Sequence, residues 1–132
     1  MKIALVCPYD YAFPGGVVDH VAYLYRQFTL MGHEVSILTP CSKKEVCYFG
    51  EKLIVIGSRP IPVPTSGSVA RITMSPMVPF QVKKILKREK FDIIHLQEPF
   101  AVMLPLTVLR LSRTATVGTF HAYHSKPRGY WL

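Results

Sequence analysis

Residues suited to binding or group transfer gather at three places along the chain. Gly15 and Gly16 follow Pro14 and stand just ahead of an amphipathic stretch. Glycines at the start of a helix let a ligand approach the backbone, and free N–H groups there favour phosphate. The spacing is neither G-x-G-x-x-G nor G-x-x-x-x-G-K-[ST], so neither a dinucleotide fingerprint nor a P-loop is present. A plain Pro-Gly-Gly turn accounts for the same residues equally well. Gln97-Glu98-Pro99 closes the apolar run Phe91–Leu96, and His121 directly follows the β-branched run Thr116–Phe120. An imidazole at that point can hydrogen-bond a hydroxyl or support developing charge. On position alone a structural histidine explains it better. His95 lies inside an apolar run and reads as core. His20 and His33 flank the first amphipathic stretch without an evident partner, and His124 stands near His121.

A fourth feature is electrostatic. Lys83, Lys84, Lys87, Arg88 and Lys90 are five cations against Glu89, leaving +4, half of the chain's formal +8. Beside an anionic membrane each such residue contributes on the order of 1 kcal/mol. Phe80 falls on the same side, and an apolar residue among cations suits an interface. An ordinary solvated helix face has the same composition. Nucleic acid is not expected as a partner, because the charge has no aromatic platform or recognition motif beside it. Cys7, Cys41 and Cys47 form no Cys-x-x-Cys pair, so no zinc or other metal site is expected.

These groups must be positioned by alternating strands and helices. Lys2–Cys7 is a continuous apolar strand of the kind buried in a parallel sheet. Val17, Val21, Leu24, Phe28 and Met31 form a helical stripe, and Gly32 stands where a left-handed cap is expected. Val35–Thr39 is a second strand. Val46–Phe49 and Leu53–Ile56 read as two short strands around Gly50. Pro60, Pro62 and Pro64 argue against regular structure, and the loop is expected to continue through Ser68. Val78, Val82, Ile85 and Leu86 give one face of a helix whose other face is the basic run. Phe91–Leu96 is a further strand, and Pro99 fits the first turn of a following helix, unless Pro105 kinks it or marks its true start. Thr116–Phe120 is the last strand. The pattern predicts an α/β, Rossmann-like parallel sheet with helices on both faces. In such sheets ligands bind at the carboxyl ends of the strands, where Pro8–Gly16, Gln97–Pro99 and His121–Lys126 all fall.

Length and composition agree with a single domain. The chain has 132 residues, 49% of them hydrophobic, which rules out a disordered polyelectrolyte. Its apolar runs are far shorter than the roughly 18 residues a membrane span needs. The run after Met1 ends at Pro8, too early for a signal peptide, so a cytoplasmic location with reduced cysteines is expected.

Met1–Tyr9 followed by Pro14-Gly15-Gly16-Val17, with Gly32-His33-Glu34-Val35, resembles the start of a family 4 glycosyltransferase. Pro62–Arg71, Phe91–His95 and Thr119-Phe120-His121 are similar to the bacterial phosphatidylinositol mannosyltransferase branch of that family. The resemblance implies the GT-B arrangement, two Rossmann-like domains facing across a cleft. The chain would be the acceptor-binding N-terminal domain, truncated at its C-terminal end and lacking the donor domain. It implies retaining hexosyl or mannosyl transfer from a nucleotide-sugar such as GDP-mannose or a UDP-sugar, with no cofactor or metal. Gly15 and Gly16 would meet the donor diphosphate, and His121 would contact the reacting sugar. Tyr9 and Arg71 would line the pocket for a lipid or polyol-phosphate acceptor. Lys83, Lys84, Lys87, Arg88 and Lys90 would dock on an anionic membrane, placing the protein peripherally on its inner face. Val18 and Phe100 depart from the polar residues of that branch. The alternative is a non-catalytic remnant or binding subunit that needs a separate donor-domain chain.

Overall fold

The computed structural model describes residues 1–43, 50–57, 60–65, 68–101 and 103–121. Five strands form one parallel sheet in the order β3-β2-β1-β6-β7: β1 is Lys2–Val6, β2 Glu34–Thr39, β3 Leu53–Val55, β6 Ile93–Gln97 and β7 Ala115–Thr119. β4 (Ile61–Thr65) and β5 (Ser68–Ile72) make a separate antiparallel pair. The helices are α1 (Gly16–Leu30), α2 (Val78–Glu89) and α3 (Leu104–Leu111). The expected α/β Rossmann-like sheet is therefore what forms.

The two-residue period of a strand divides the core into two layers. Ile3, Leu5 and Cys7 pack with Val35 and Ile37 against Val18, Val21 and Ala22 of α1. Ala4 and Val6 turn the other way and join Leu38, Ile94 and Leu96 beneath α2 and α3. Burial on both faces explains why β1 reads as an unbroken apolar run rather than an alternating one.

The helix ends follow from local chemistry. Past Leu30, the Gly32 N–H donates to the Thr29 carbonyl at 3.0 Å and the His33 N–H to the Phe28 carbonyl at 3.1 Å. That is the paired 5→2 and 6→1 closure of a Schellman motif, and it requires the left-handed Gly32, at φ 91°. The buried ridge of α1 is Val18, Val21 and Ala22. Val17, Leu24 and Phe28 lie at its margin, and Met31 is exposed. The stripe expected from spacing is thus rotated toward Val18.

Two expectations are corrected. The proline-rich stretch is not a continuous loop: residues 61–65 pair with residues 68–72 through Ile61↔Ile72, Val63↔Ala70 and Thr65↔Ser68. Pro62 and Pro64 are spaced two apart, so both turn their nitrogens away from β5, and a two-stranded ribbon leaves that edge free. Pro99 does not open a helix. It lies in a turn after β6, and Pro105 occupies the first turn of α3. The strand expected at Val46–Phe49, together with His124, falls outside the described residues.

Candidate functional site

The chain runs outward through β1, β2 and β3, then returns to lay β6 on the other side of β1. That reversal opens a crevice at the carboxyl ends of β1 and β6, the place where doubly wound sheets bind ligands. A pocket of about 380 Å³ occupies it. Tyr9, Gly15, Gly16, Arg71 and His121 all line it, although they come from three separate stretches of sequence.

Each arrives by a different route. The loop after β1 is fixed by Asp10, whose buried carboxylate accepts the Ala12 and Ser42 N–H groups at 3.0 Å each. That loop delivers Gly15 as the residue preceding α1, with no side chain capping the helix start. A Cβ built on Gly15 or Gly16 would meet nothing within 4 Å. Neither glycine is demanded by packing; what they preserve is open space before the N–H groups of a 15-residue helix. The β4–β5 ribbon is tied to the same loop by the Asp10 N–H, which donates to the Arg71 carbonyl at 2.8 Å. The Arg71 guanidinium carbon stands 3.9 Å from the centroid of the Phe13 ring, a cation–π contact that holds the cation at the pocket wall.

The wall beneath is polar because of strand parity. His95 and Gln97 project to the α1 side of β6, opposite Ile94 and Leu96. The register Gln97↔Thr119 puts Thr119 on that same side. The His95 Nε2 and Thr119 Oγ1 atoms are 2.6 Å apart, and the His121 Nε2 and Gln97 Oε1 atoms are 2.5 Å apart. Glu98 is buried with its backbone left-handed, at φ 51°. This is an uncommon conformation for a residue with a side chain. Its N–H donates to the Thr119 carbonyl at 2.8 Å, and its carboxylate accepts the His121 N–H. Glu98 thus ties the end of β6 to the end of β7.

Electrostatics follow from burial. Burial pushes the Tyr9 hydroxyl above its ordinary range, and the nearby Glu98 carboxylate adds to the effect. His95 and His121 are both held below the ordinary histidine value, first by desolvation and then by the charge of His20. Burial raises the Cys7 thiol to about 11, which makes it an inert core group. Among the described residues no cluster of three or more His, Cys, Asp or Glu could hold a metal ion.

His95 is half-buried beside Thr119 rather than a core residue, and His33 contacts the N-terminal amine through Nδ1 at 3.1 Å. His20 has a partner too: its ring meets that of His121 edge-to-face, with centroids 5.0 Å apart. Phe13, Asp10 and Glu98 were not among the residues expected at the site. All three stand in loops that the strand pattern does flag, Pro8–Gly16 and Gln97–Pro99, whereas the contact of Phe13 with Arg71 depends on the ribbon folding over it. Val18 is buried yet reaches the pocket. Lys83, Lys84, Lys87, Arg88 and Lys90 are all exposed on and just after α2, outside the pocket lining.

Residues 14–132 match the profile of Glycosyltransferase Family 4. The chain belongs to that family. It is 39% identical over 128 residues to a phosphatidyl-myo-inositol mannosyltransferase of Mycobacterium tuberculosis, covering 96% of this chain and 32% of the relative. Proteins of the same name in Mycolicibacterium smegmatis and Propionibacterium freudenreichii are 37% and 38% identical over 126 and 125 residues. These alignments cover 96% and 92% of the chain, and 32% and 33% of the relatives. The chain spans about a third of the length of the curated relatives it matches. No helix among the described residues is long and apolar enough to cross a membrane.

Proposed function

We propose that this family 4 chain supplies the acceptor-binding half of a retaining, nucleotide-sugar-dependent glycosyltransferase. Its acceptor is a lipid or polyol phosphate presented at a membrane surface. The observation that carries this reading is the meeting of Arg71, an uncapped helix N-terminus and His121 around one pocket at the sheet's switch point.

The chemistry divides along the pocket. Arg71 offers a fork of N–H donors matched to a phosphate, and its stacking on Phe13 limits the freedom it must lose on binding. Tyr9 offers a hydroxyl that burial keeps protonated, suited to a polyol. The open N–H groups at Gly15 and Gly16 suit the diphosphate of a nucleotide-sugar donor. His121, held largely unprotonated, can accept a hydrogen bond from the reacting sugar and support its developing positive charge. The donor's nucleotide is to be held by a second domain, in the same chain or in another. The exposed cations from Lys83 to Lys90, with Phe80 and Met77 exposed at the start of α2, would bring the pocket to an anionic bilayer.

Phosphatidyl-myo-inositol is the acceptor named for the relatives, so glycerophosphoinositol is the soluble probe. Titration by calorimetry should show binding to the parent chain, weakened about tenfold or more in Arg71→Ala through loss of a charge-assisted contact. Equal affinity in parent and variant would remove Arg71 from the acceptor site.

A further inference from the structure

His20 is the one histidine of α1, and its ring touches the ring on which the proposed chemistry turns. We propose that His20 is a positioning residue for His121: together with Gln97 it fixes which ring atom of His121 faces the pocket, and it opposes protonation of that atom. This inference rests on the reading of His121 given above.

The geometry supplies two constraints on one ring. Gln97, fully buried, presents its Oε1 atom 2.5 Å from the His121 Nε2 atom. With that carbonyl as acceptor, Nε2 carries its proton and donates it, so the lone pair of the neutral ring lies on Nδ1. The His20 ring packs against His121 with an interplanar angle of 72° and a centroid separation of 5.0 Å. A hydrogen bond along one direction and an aromatic contact across the ring leave His121 little freedom to flip. The His121 backbone is also pinned at its own N–H, which the Glu98 carboxylate accepts.

Protonation matters because it would convert Nδ1 from an acceptor into a donor, and the ring would then repel the hydroxyl proton it is placed to receive. Charged and titratable groups meet His121 from every neighbouring element. Among the described residues, His20 comes from α1, His95 from β6 and Glu98 from the turn after it, with the neutral Gln97 amide beside them. Tyr9, Asp10 and Arg71 line the same pocket. Glu98 favours a proton on His121, whereas desolvation and the charge of His20 oppose it. His20 is thus the nearby side chain that offsets Glu98.

The test is an NMR pH titration of the imidazole Cε1–H signals in the parent chain, His20→Phe and His20→Gln. Phenylalanine keeps an aromatic ring against His121 and removes the charge; glutamine removes both and guards against a packing failure in the first variant. The His121 midpoint should rise in both variants, because each removes the His20 charge that opposes protonation of His121. An unchanged midpoint in whichever variant remains folded overturns the proposal. The reading beneath it fails separately: full turnover by His121→Ala in the whole enzyme would remove His121 from the chemistry, whatever its coupling to His20.

Discussion

Gly16 is the first residue of α1, where alanine would be the better helix former by up to about 1 kcal/mol. Nothing in the fold resists the substitution, since the added Cβ meets no atom within 4 Å. Gly16→Ala is therefore expected to leave the melting temperature unchanged or raise it, while weakening binding of pyrophosphate, the probe for the donor diphosphate. Unchanged pyrophosphate binding in a folded variant would assign the glycines to the turn alone. At this scale much of the site is legible in the sequence. Tyr9, Gly15, Gly16, Arg71 and His121 do line one pocket. The residues that escape are those whose direction depends on register. Gln97 and His95 share a face with Thr119 only because β6 and β7 pair in parallel at Gln97↔Thr119. His20 reaches His121 only because α1 covers that face.

The elements differ in how openly they declare themselves. β1, β2 and α2 are fixed by apolar runs and spacing, and their bounds fall within a residue or two of what the sequence predicts. The β4–β5 ribbon is hidden because a proline count signals a loop, whereas the two-residue spacing of Pro62 and Pro64 is compatible with one strand of an edge pair. The ribbon carries Arg71, so a ribbon hidden in the sequence also hides how that wall of the pocket is built. α2 shows the opposite case. Val78, Val82 and Ile85 are buried and the basic residues exposed, as the pattern requires. Replacing Lys83, Lys84, Lys87 and Arg88 together by Ser should weaken co-sedimentation with anionic vesicles by more than about tenfold, with salt weakening the parent in the same direction. Parent-like sedimentation of the variant would reduce this face to an ordinary solvated one.

For the whole molecule, the fold ties the histidine wall to stability. His95 and His121 resist protonation when folded but titrate near 6.5 when unfolded. As pH falls through that value the unfolded chain binds the extra protons, so the native state loses stability on going from about pH 7 to about pH 5. Urea midpoints should fall over this interval, and His95→Gln should flatten part of the dependence; an identical pH profile in that variant would show that His95 is not a source. The sheet order is what gives these local facts a common location. Reversal between β3 and β6 opens the crevice at β1, and the loop after β1, the β4–β5 ribbon and the ends of β6 and β7 all close around it.

Backbone-amide NMR with glycerophosphoinositol tests most directly the proposal that this crevice holds a phosphorylated acceptor. Saturable shifts are expected at Tyr9, Gly15, Gly16, Arg71 and His121, the residues that share the pocket. Saturable binding that moves other amides and leaves these five in place would contradict it.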